Sequence, residues 1–306
     1  MASRVLRLID VSSYIHAGSV NRSAKLDGPV VKTDNGYTCR DIAAGGISLL
    51  FNNLYYHYGS CDYVFCCDTR PTIKQGMFPD YKANREHKES ISKAKEVARI
   101  VLEDCGFTVL CEPGYEADDF IYSAVQKYQN QYDEIVIHTS DSDLYFLVSD
   151  KVRIEKSHSR SKDVSMSSYG TSFGKDIEFM QYNMGTFYKV CFGDKSDNIP
   201  PLEDGAGVSL FNTFNQDGIR AEMGNKSYAR NMVEMFADWA LPQFDLVYPL
   251  DVKIPEEIER GDKDRVFKWG KAMKNKLFSN VSLAYEGSAI EAVVDDMVNM
   301  GLYDEA

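Results

Sequence analysis

The sequence predicts an α/β fold built on a mainly parallel central sheet, followed by a helical C-terminal region. Three observations predict it. Short apolar runs of strand length alternate with longer amphipathic stretches through the first half, which is the pattern of βαβ units. Asp10, Asp68 and Asp141 fall at the ends of three of those runs, where α/β sheets place their ligands. Beyond about residue 180 the strand signals stop and helical periodicity takes over.

The elements follow in order. "RVLRLID" (4–10) reads as a strand ending in Asp10. "RDIAAGGISLLFNNLYYHYG" (40–59) carries apolar residues at helical spacing and stops at Gly59, a C-cap residue. "DYVFCCD" (62–68) is a second strand, ending in Asp68, and 91–106 a helix stopped by Gly106. A third strand covers "FTVLCEPG" (107–114). "YEADDFIYSAVQKY" (115–128) opens on Glu116, Asp118 and Asp119 and continues as an amphipathic helix, with its acids at the positive end of the dipole. "DEIVIHTSDSD" (133–143) and "KVRIEKS" (151–157) read as the fourth and fifth strands. Residues 1–180 form the α/β domain and 181–306 the helical region, with helices expected at 208–214, 227–240, 264–278 and 288–300.

Composition narrows the class. With 306 residues, 44% of them apolar, the chain can bury a normal core, and no run of about 18 apolar residues marks a membrane span. The start, "MASRVLRLID", is too short and too charged for a secretory signal. The seven cysteines are odd in number and contain no CxxC pair, so they read as reduced packing residues of a cytoplasmic monomer. No His/Cys spacing fits zinc.

Nine acids stand out: Asp10, Asp68, Glu116, Asp118, Asp119, Asp141, Asp143, Asp194 and Asp197. Each cluster taken alone is an ordinary cap or turn. Together they sit at strand ends or helix starts of one α/β unit, and brought into one pocket they could not stay ionised without cations. Hard oxygen ligands of this kind suit Mg²⁺ or Mn²⁺. Two such ions can activate a water and stabilise the leaving oxygen of a phosphodiester, so the pattern points to a two-metal nuclease. The net charge of −12 does not exclude a nucleic-acid partner, because setting the nine acids aside leaves 37 acids against 34 Lys and Arg. Basic residues also cluster: seven Lys/Arg against four acids in 71–99, five in 151–162 and six in 263–276. Such patches make salt-dependent phosphate contacts.

In the order Asp10, "FCCD", "YKANR", "GYEADD", "TSDSD" and "GDKSDNIP", these motifs resemble the 5′ nucleases of the flap-endonuclease type, whose nuclease domain is PIN-like. The resemblance spans residues 5 to about 210 and is nearest in style to bacteriophage ribonuclease H and 5′-exonuclease members. It implies a PIN-like three-layer domain over 1–180, a helical arch at about 71–99, and a helix–hairpin–helix-like segment at about 185–215. By resemblance, Asp10, Asp68, Glu116 and Asp118 serve the first metal, and Asp141 and Asp143 lie between the two sites. Asp194 and Asp197 serve the outer site, and Asp119 supports. Catalytic work falls to Lys82, Arg85, Asp118 and Asp141, with Lys82 and Arg85 polarising the scissile phosphate. Nucleic-acid contacts fall to Lys74, Tyr81, Lys82, Arg85, Lys88, Gly205 and Gly207. Two departures stand out. The first motif is "DVSSYIHAG" where the family usually has Asp-Gly, with Ala17 in place of an Arg. The hairpin, where the resemblance implies a bound K⁺ and duplex binding, keeps only Gly205 and Gly207, with Ser209 where a Lys commonly follows.

The implied activity is metal-dependent 5′→3′ exonuclease and flap endonuclease cleavage of DNA or RNA–DNA near 5′ ends. The implied role is removal of primers and flaps in phage replication, beside a polymerase or single-strand-binding protein. Two rivals stand beside it: a PIN-type ribonuclease, and a family member that binds nucleic acid with little catalysis.

Overall fold

The computed structural model describes residues 4–20, 32–33, 36–37, 46, 49–51, 54, 58–85, 89–156, 184–203, 205–216, 218–220 and 222–274. In chain order its elements are β1 (Val5–Asp10), α1 (Val11–Val20), β2 (Lys32–Thr33), β3 (Gly36–Tyr37), β4 (Asp62–Cys66), α2 (Thr72–Met77), α3 (Glu89–Asp104), β5 (Thr108–Leu110), α4 (Ala117–Tyr128), β6 (Glu134–His138), β7 (Val152–Glu155), α5 (Gly185–Phe192), α6 (Ala206–Phe214), α7 (Lys226–Ala237), α8 (Leu241–Val247) and α9 (Lys263–Lys274). They fall into two compact units. One is drawn from 68–86 and 111–254, the other from 2–67, 87–110 and 255 onward.

In the second of these units β1 pairs in parallel with β4, Leu8 opposite Val64 and Asp10 opposite Cys66, and β4 pairs in parallel with β5. Leu6, Leu8, Val64 and Phe65 have no exposed surface. Strands covered on both faces need near-continuous apolar runs rather than alternation, which "YVFCC" supplies and "VLRLI" supplies apart from the buried Arg7. Tyr63 and Phe65 stack at 6.0 Å, and Phe107 meets Phe65 edge-on at 5.1 Å. The α9 helix joins this unit. Trp269 is fully buried and its indole N–H donates to Asp104 at 2.8 Å. The helix expected over 40–59 is described at residues 46, 49–51 and 54, all helical, and has ended by Tyr58.

In the other unit β6 pairs in parallel with β7, Ile137 opposite Ile154. In both units the strands are shorter than expected: β4 ends at Cys66, two residues ahead of Asp68, and β5 and β6 are cut back most. β5 stops at Leu110, just ahead of Pro113 and of Gly114 at φ +97°. β6 stops at His138, so "TSDSD" is a loop running into a 3₁₀ turn at Tyr145–Leu147. The α5 and α6 helices pack together through an aromatic cluster, with Phe211 edge-on to Tyr188 at 5.7 Å and to Phe192 at 5.6 Å. Gly207 is buried, and a Cβ there would overlap the carbonyl of Cys191. The bare backbone is what lets the helices touch. Gly207→Ala is expected to destabilise the protein by about 2 kcal/mol through overpacking; the shift of a urea midpoint measures it, and an unchanged midpoint would show that the helices can part freely.

The helix expected at 288–300 lies outside the described residues. Among the described residues no helix is long and apolar enough to cross a membrane. The six described cysteines are free thiols.

Candidate metal centre

Three tight turns and one helix start build the centre, all within the unit of residues 68–86 and 111–254. Glu116 is the N-cap of α4, extended at φ −108° and ψ 162°. Asp118 and Asp119 occupy the first turn, where the helix dipole favours negative charge. Asp68 is pinned to the same helix end, because its Oδ1 accepts the Ala117 N–H at 2.9 Å. Thr69 secures the junction: its hydroxyl donates to the Tyr115 carbonyl at 2.8 Å and accepts the Gly114 N–H at 2.9 Å.

The "YKANR" turn brings the cations. Tyr81 is 1% exposed. Its hydroxyl donates to Glu116 Oε2 at 2.7 Å and lies 3.2 Å from Asp197 Oδ2. Lys82 adopts φ +54°, a left-handed conformation unusual for a side-chain-bearing residue. Its own N–H, bonded to the Asp197 carbonyl at 2.8 Å, holds it there. Its ammonium pairs with Glu116 and stands 3.4 Å from Asp197 Oδ2. Arg85 pairs with Asp197 Oδ1, and its Nε donates to the Ser196 carbonyl at 3.3 Å. Asn84 donates to the Lys195 carbonyl at 3.0 Å and Asn198 to the Asp80 carbonyl at 2.9 Å. "YKANR" and "GDKSDN" are therefore two halves of one stitched turn pair, 111 residues apart in sequence at Asn84 and Lys195.

Asp143, Asp194 and Asp197 each present a carboxylate oxygen within 4.8 Å of the others. Asp194 is fixed by Ser196, whose N–H and hydroxyl reach its Oδ1 at 2.8 and 2.6 Å. Asp141 accepts the Asp143 N–H at 3.0 Å. Lys189, from α5, pairs with Asp143 and with Asp194 at 2.7 Å. Sequence reasoning missed Lys189. "TSDSD" has no basic neighbour in sequence, and its cation arrives from 46 residues away.

The electrostatics follow from burial and pairing. Burial pushes Glu116 upward, yet Lys82 and Lys74 outweigh it and hold the carboxyl below its ordinary value. Burial and the neighbouring Asp141 raise Asp143 to about 6 despite Lys189. Asp194 lies low: burial opposes its charge, but Lys189 and Ser196 win. Burial also lowers Lys82 and Lys189 in isolation, and their carboxylate partners reverse that and raise both.

The remaining sequence-selected residues lie as follows. Lys74, read from sequence as a nucleic-acid contact, is 4% exposed; its ammonium lies 3.7 Å from Glu116 and 4.0 Å from Asp119. It acts beneath the carboxylates as a buried counter-charge, and the equally buried Tyr81 acts as their hydrogen-bond donor. Arg85 keeps about half of its side chain exposed. Asp119 is 1% exposed and both its oxygens are taken by backbone amides, Glu116 N–H at 2.9 Å and Leu250 N–H at 2.6 Å. Gly205 caps α6 at φ +74°, while Gly207 serves helix packing. Lys88 lies outside the described residues. Asp10 closes β1 in the other unit, where its Oδ1 accepts the Ser13 N–H at 3.0 Å. The cluster's donors are carboxylate oxygens alone, with no sulfur or imidazole among them, which fits Mg²⁺ or Mn²⁺.

Comparison with known proteins identifies the family. Residues 6–173 match the family described as 5′-3′ exonuclease, N-terminal resolvase-like domain. DNA polymerase I of Mycobacterium bovis is 26% identical over 240 residues, covering 71% of this chain and 26% of that protein. The 5′-3′ exonuclease of Buchnera aphidicola is 24% identical over 173 residues, 54% of this chain and 57% of its own length. The chain thus spans about a quarter of the length of the polymerase relatives it matches. Among solved structures, the T5 D15 protein co-crystallized with metal ions superposes with a TM-score of 0.55 at 16% identity, covering 80% of this chain and 89% of its own. The bacteriophage T5 D15 flap endonuclease in complex with DNA and metal ions gives 0.54, also at 16% identity, covering 80% and 88%. At these identities the likeness is one of fold.

Proposed function

The chain belongs to the 5′-3′ exonuclease family through its N-terminal resolvase-like domain, and from that membership we propose a metal-dependent 5′→3′ nuclease that hydrolyses phosphodiesters near 5′ ends of DNA and RNA–DNA. Asp197 carries this reading. One side chain joins the acidic trio and also touches Tyr81, Lys82 and Arg85, so carboxylates and phosphate-binding cations converge on a single point.

Asp143, Asp194 and Asp197 would hold one Mg²⁺ or Mn²⁺, and Asp68, Glu116 and Asp118 would serve a second, with Asp141 between them. Asp10 is assigned to the ligand set by family resemblance alone. When bound, such ions supply an activated water and stabilise the leaving oxygen. This chain's own residues do the rest. Lys82 and Lys74 favour the ionised Glu116, and the Tyr81 hydroxyl holds it in place. Lys82 and Arg85 are the cations free to turn toward a phosphate once their carboxylates are engaged, where they neutralise charge developing in the transition state. Residues 71–99 are read as the arch that admits a single-stranded 5′ end. Substrates would be flaps, nicks and RNA-primed duplexes, the setting primer removal during phage replication, and the partners a replication polymerase or single-strand-binding protein.

Cleavage mapping on 5′-labelled flap, nicked and RNA-primed duplexes tests the proposal. Products cut at or near the junction, with 3′-hydroxyl ends, are expected. Equal cutting of unstructured single-stranded RNA would favour a ribonuclease instead, and tight binding without products would favour a binding protein.

A further inference from the structure

Residues 241–254 had no assigned role, yet they touch Asp119 of "EADD", Ile199 of "GDKSDNIP" and Phe146 just beyond "TSDSD". In the α8 helix, Leu246 packs in one buried cluster with Tyr81 of "YKANR" and Ile199 of "GDKSDNIP". Gln243 donates to the Pro200 carbonyl at 2.5 Å. Tyr248, 1% exposed, meets Phe146 edge-on at 5.5 Å, three residues beyond Asp143. The chain then runs extended along α4. The Leu250 N–H donates to Asp119 at 2.6 Å, the Val252 N–H to the Ser123 hydroxyl at 2.9 Å, and the Ile254 carbonyl accepts from Lys127 at 2.8 Å. Lys226 anchors the middle, 2.8 Å from Asp251 and over the Tyr122 ring at 4.8 Å.

The match is geometric. Every second residue of an extended chain advances about 6.6 Å, and every fourth residue of an α-helix about 6 Å, so the two run in step. Asp119, Ser123 and Lys127, four apart, meet residues 250, 252 and 254, two apart. We propose that residues 241–254 are a positioning clamp for the metal centre, and that Asp119 belongs to this clamp and not to the ligand set. Both Asp119 oxygens already accept backbone amides, so the carboxylate fixes the start of α4, and through it Glu116 and Asp118, relative to the clamp. Lys74 balances its charge from 4.0 Å.

This inference rests on the nuclease reading above, and its test separates the two. Three variants, Asp119→Asn, Ser123→Ala and Ser123→Thr, are compared with wild type for Mn²⁺ stoichiometry by electron paramagnetic resonance, for kcat and KM on a 5′-flap duplex, and for melting temperature. Asn offers one acceptor where two amides need one each. Asp119→Asn is therefore expected to keep the wild-type number of ions while kcat falls about ten- to hundredfold, as for other groups that orient ligands. KM should stay nearly unchanged. Ser123 is neutral and no ligand on any view, so Ser123→Ala should move kcat the same way by a smaller factor, with Ser123→Thr restoring it. Loss of one ion in Asp119→Asn would make it a ligand and overturn the assignment. Variants whose kcat per folded molecule equals wild type would reduce the clamp to a stability element and overturn it equally. Failure of wild type to cleave would instead strike the nuclease reading, while the ion count of Asp119→Asn still decides Asp119. Failure of wild type to bind Mn²⁺ at all would remove both.

Discussion

Asp197→Asn is expected to lower kcat on a 5′-flap duplex by about 10²–10³-fold, the scale seen when a preorganised electrostatic group is removed from an active site. The substitution keeps the side chain's shape and leaves untouched the backbone carbonyl that holds Lys82. It removes one negative charge from the trio with Asp143 and Asp194, and from the pairs with Lys82 and Arg85. The fold should persist, because Asn Oδ1 can still accept from Arg85, Tyr81 keeps its bond to Glu116, and the backbone carbonyl still holds Lys82. Single-turnover kinetics in Mg²⁺, read beside a melting curve, check both halves. A variant that cleaves at the wild-type rate would show that Asp197 is a turn residue and no part of the chemistry.

The second large effect concerns Lys82. Its side chain is 14% exposed and its ammonium stands between Glu116 and Asp197. Removing one partner of a buried pair leaves a charge uncompensated, at a cost of about 3–5 kcal/mol where desolvation is complete and less at this partly open site. Lys82→Ala should slow the chemical step by about 10²-fold while weakening DNA binding far less, because a transition-state contact lowers kcat rather than affinity. The positive φ of Lys82 supplies a control. Glycine accepts that conformation freely, so Lys82→Gly relieves backbone strain without restoring charge. If lost charge is the cause, the Gly and Ala variants share the kinetic defect. If strain is the cause, Gly recovers. Rapid-quench rates and filter-binding affinities for the pair separate these outcomes.

Much of the centre was legible in sequence, for a physical reason. Acids set at or just past the ends of buried parallel strands leave a mark: apolar runs followed by acid, and an acid-rich helix start. "VLRLID" and "YVFCCD" are readable because both strand faces are covered. What was not legible depends on contacts distant in sequence. Lys189 reaches Asp143 across 46 residues, so "TSDSD" looks uncompensated on the page and is compensated in the fold. The resemblance gave Lys74 a nucleic-acid contact; the packing of α2 and Tyr81 turns it inward against Glu116 and Asp119. Asp119 looked like one more ligand in "EADD", and only the strap that residues 250–254 of the clamp lay along α4 shows both its oxygens engaged. The strap itself, "LDVKI", is five residues long, too short for periodicity to mark.

The most direct measurement of the central claim is cleavage of a 5′-labelled flap duplex by wild-type protein in Mg²⁺, after EDTA, and after Mg²⁺ is restored. Carboxylates that gather to hold a divalent ion predict cleavage near the junction, its abolition by EDTA and its recovery on adding Mg²⁺ back. Cleavage that continues undiminished in EDTA, or none under any of the three conditions, would contradict the metal-dependent nuclease assigned to Asp143, Asp194 and Asp197.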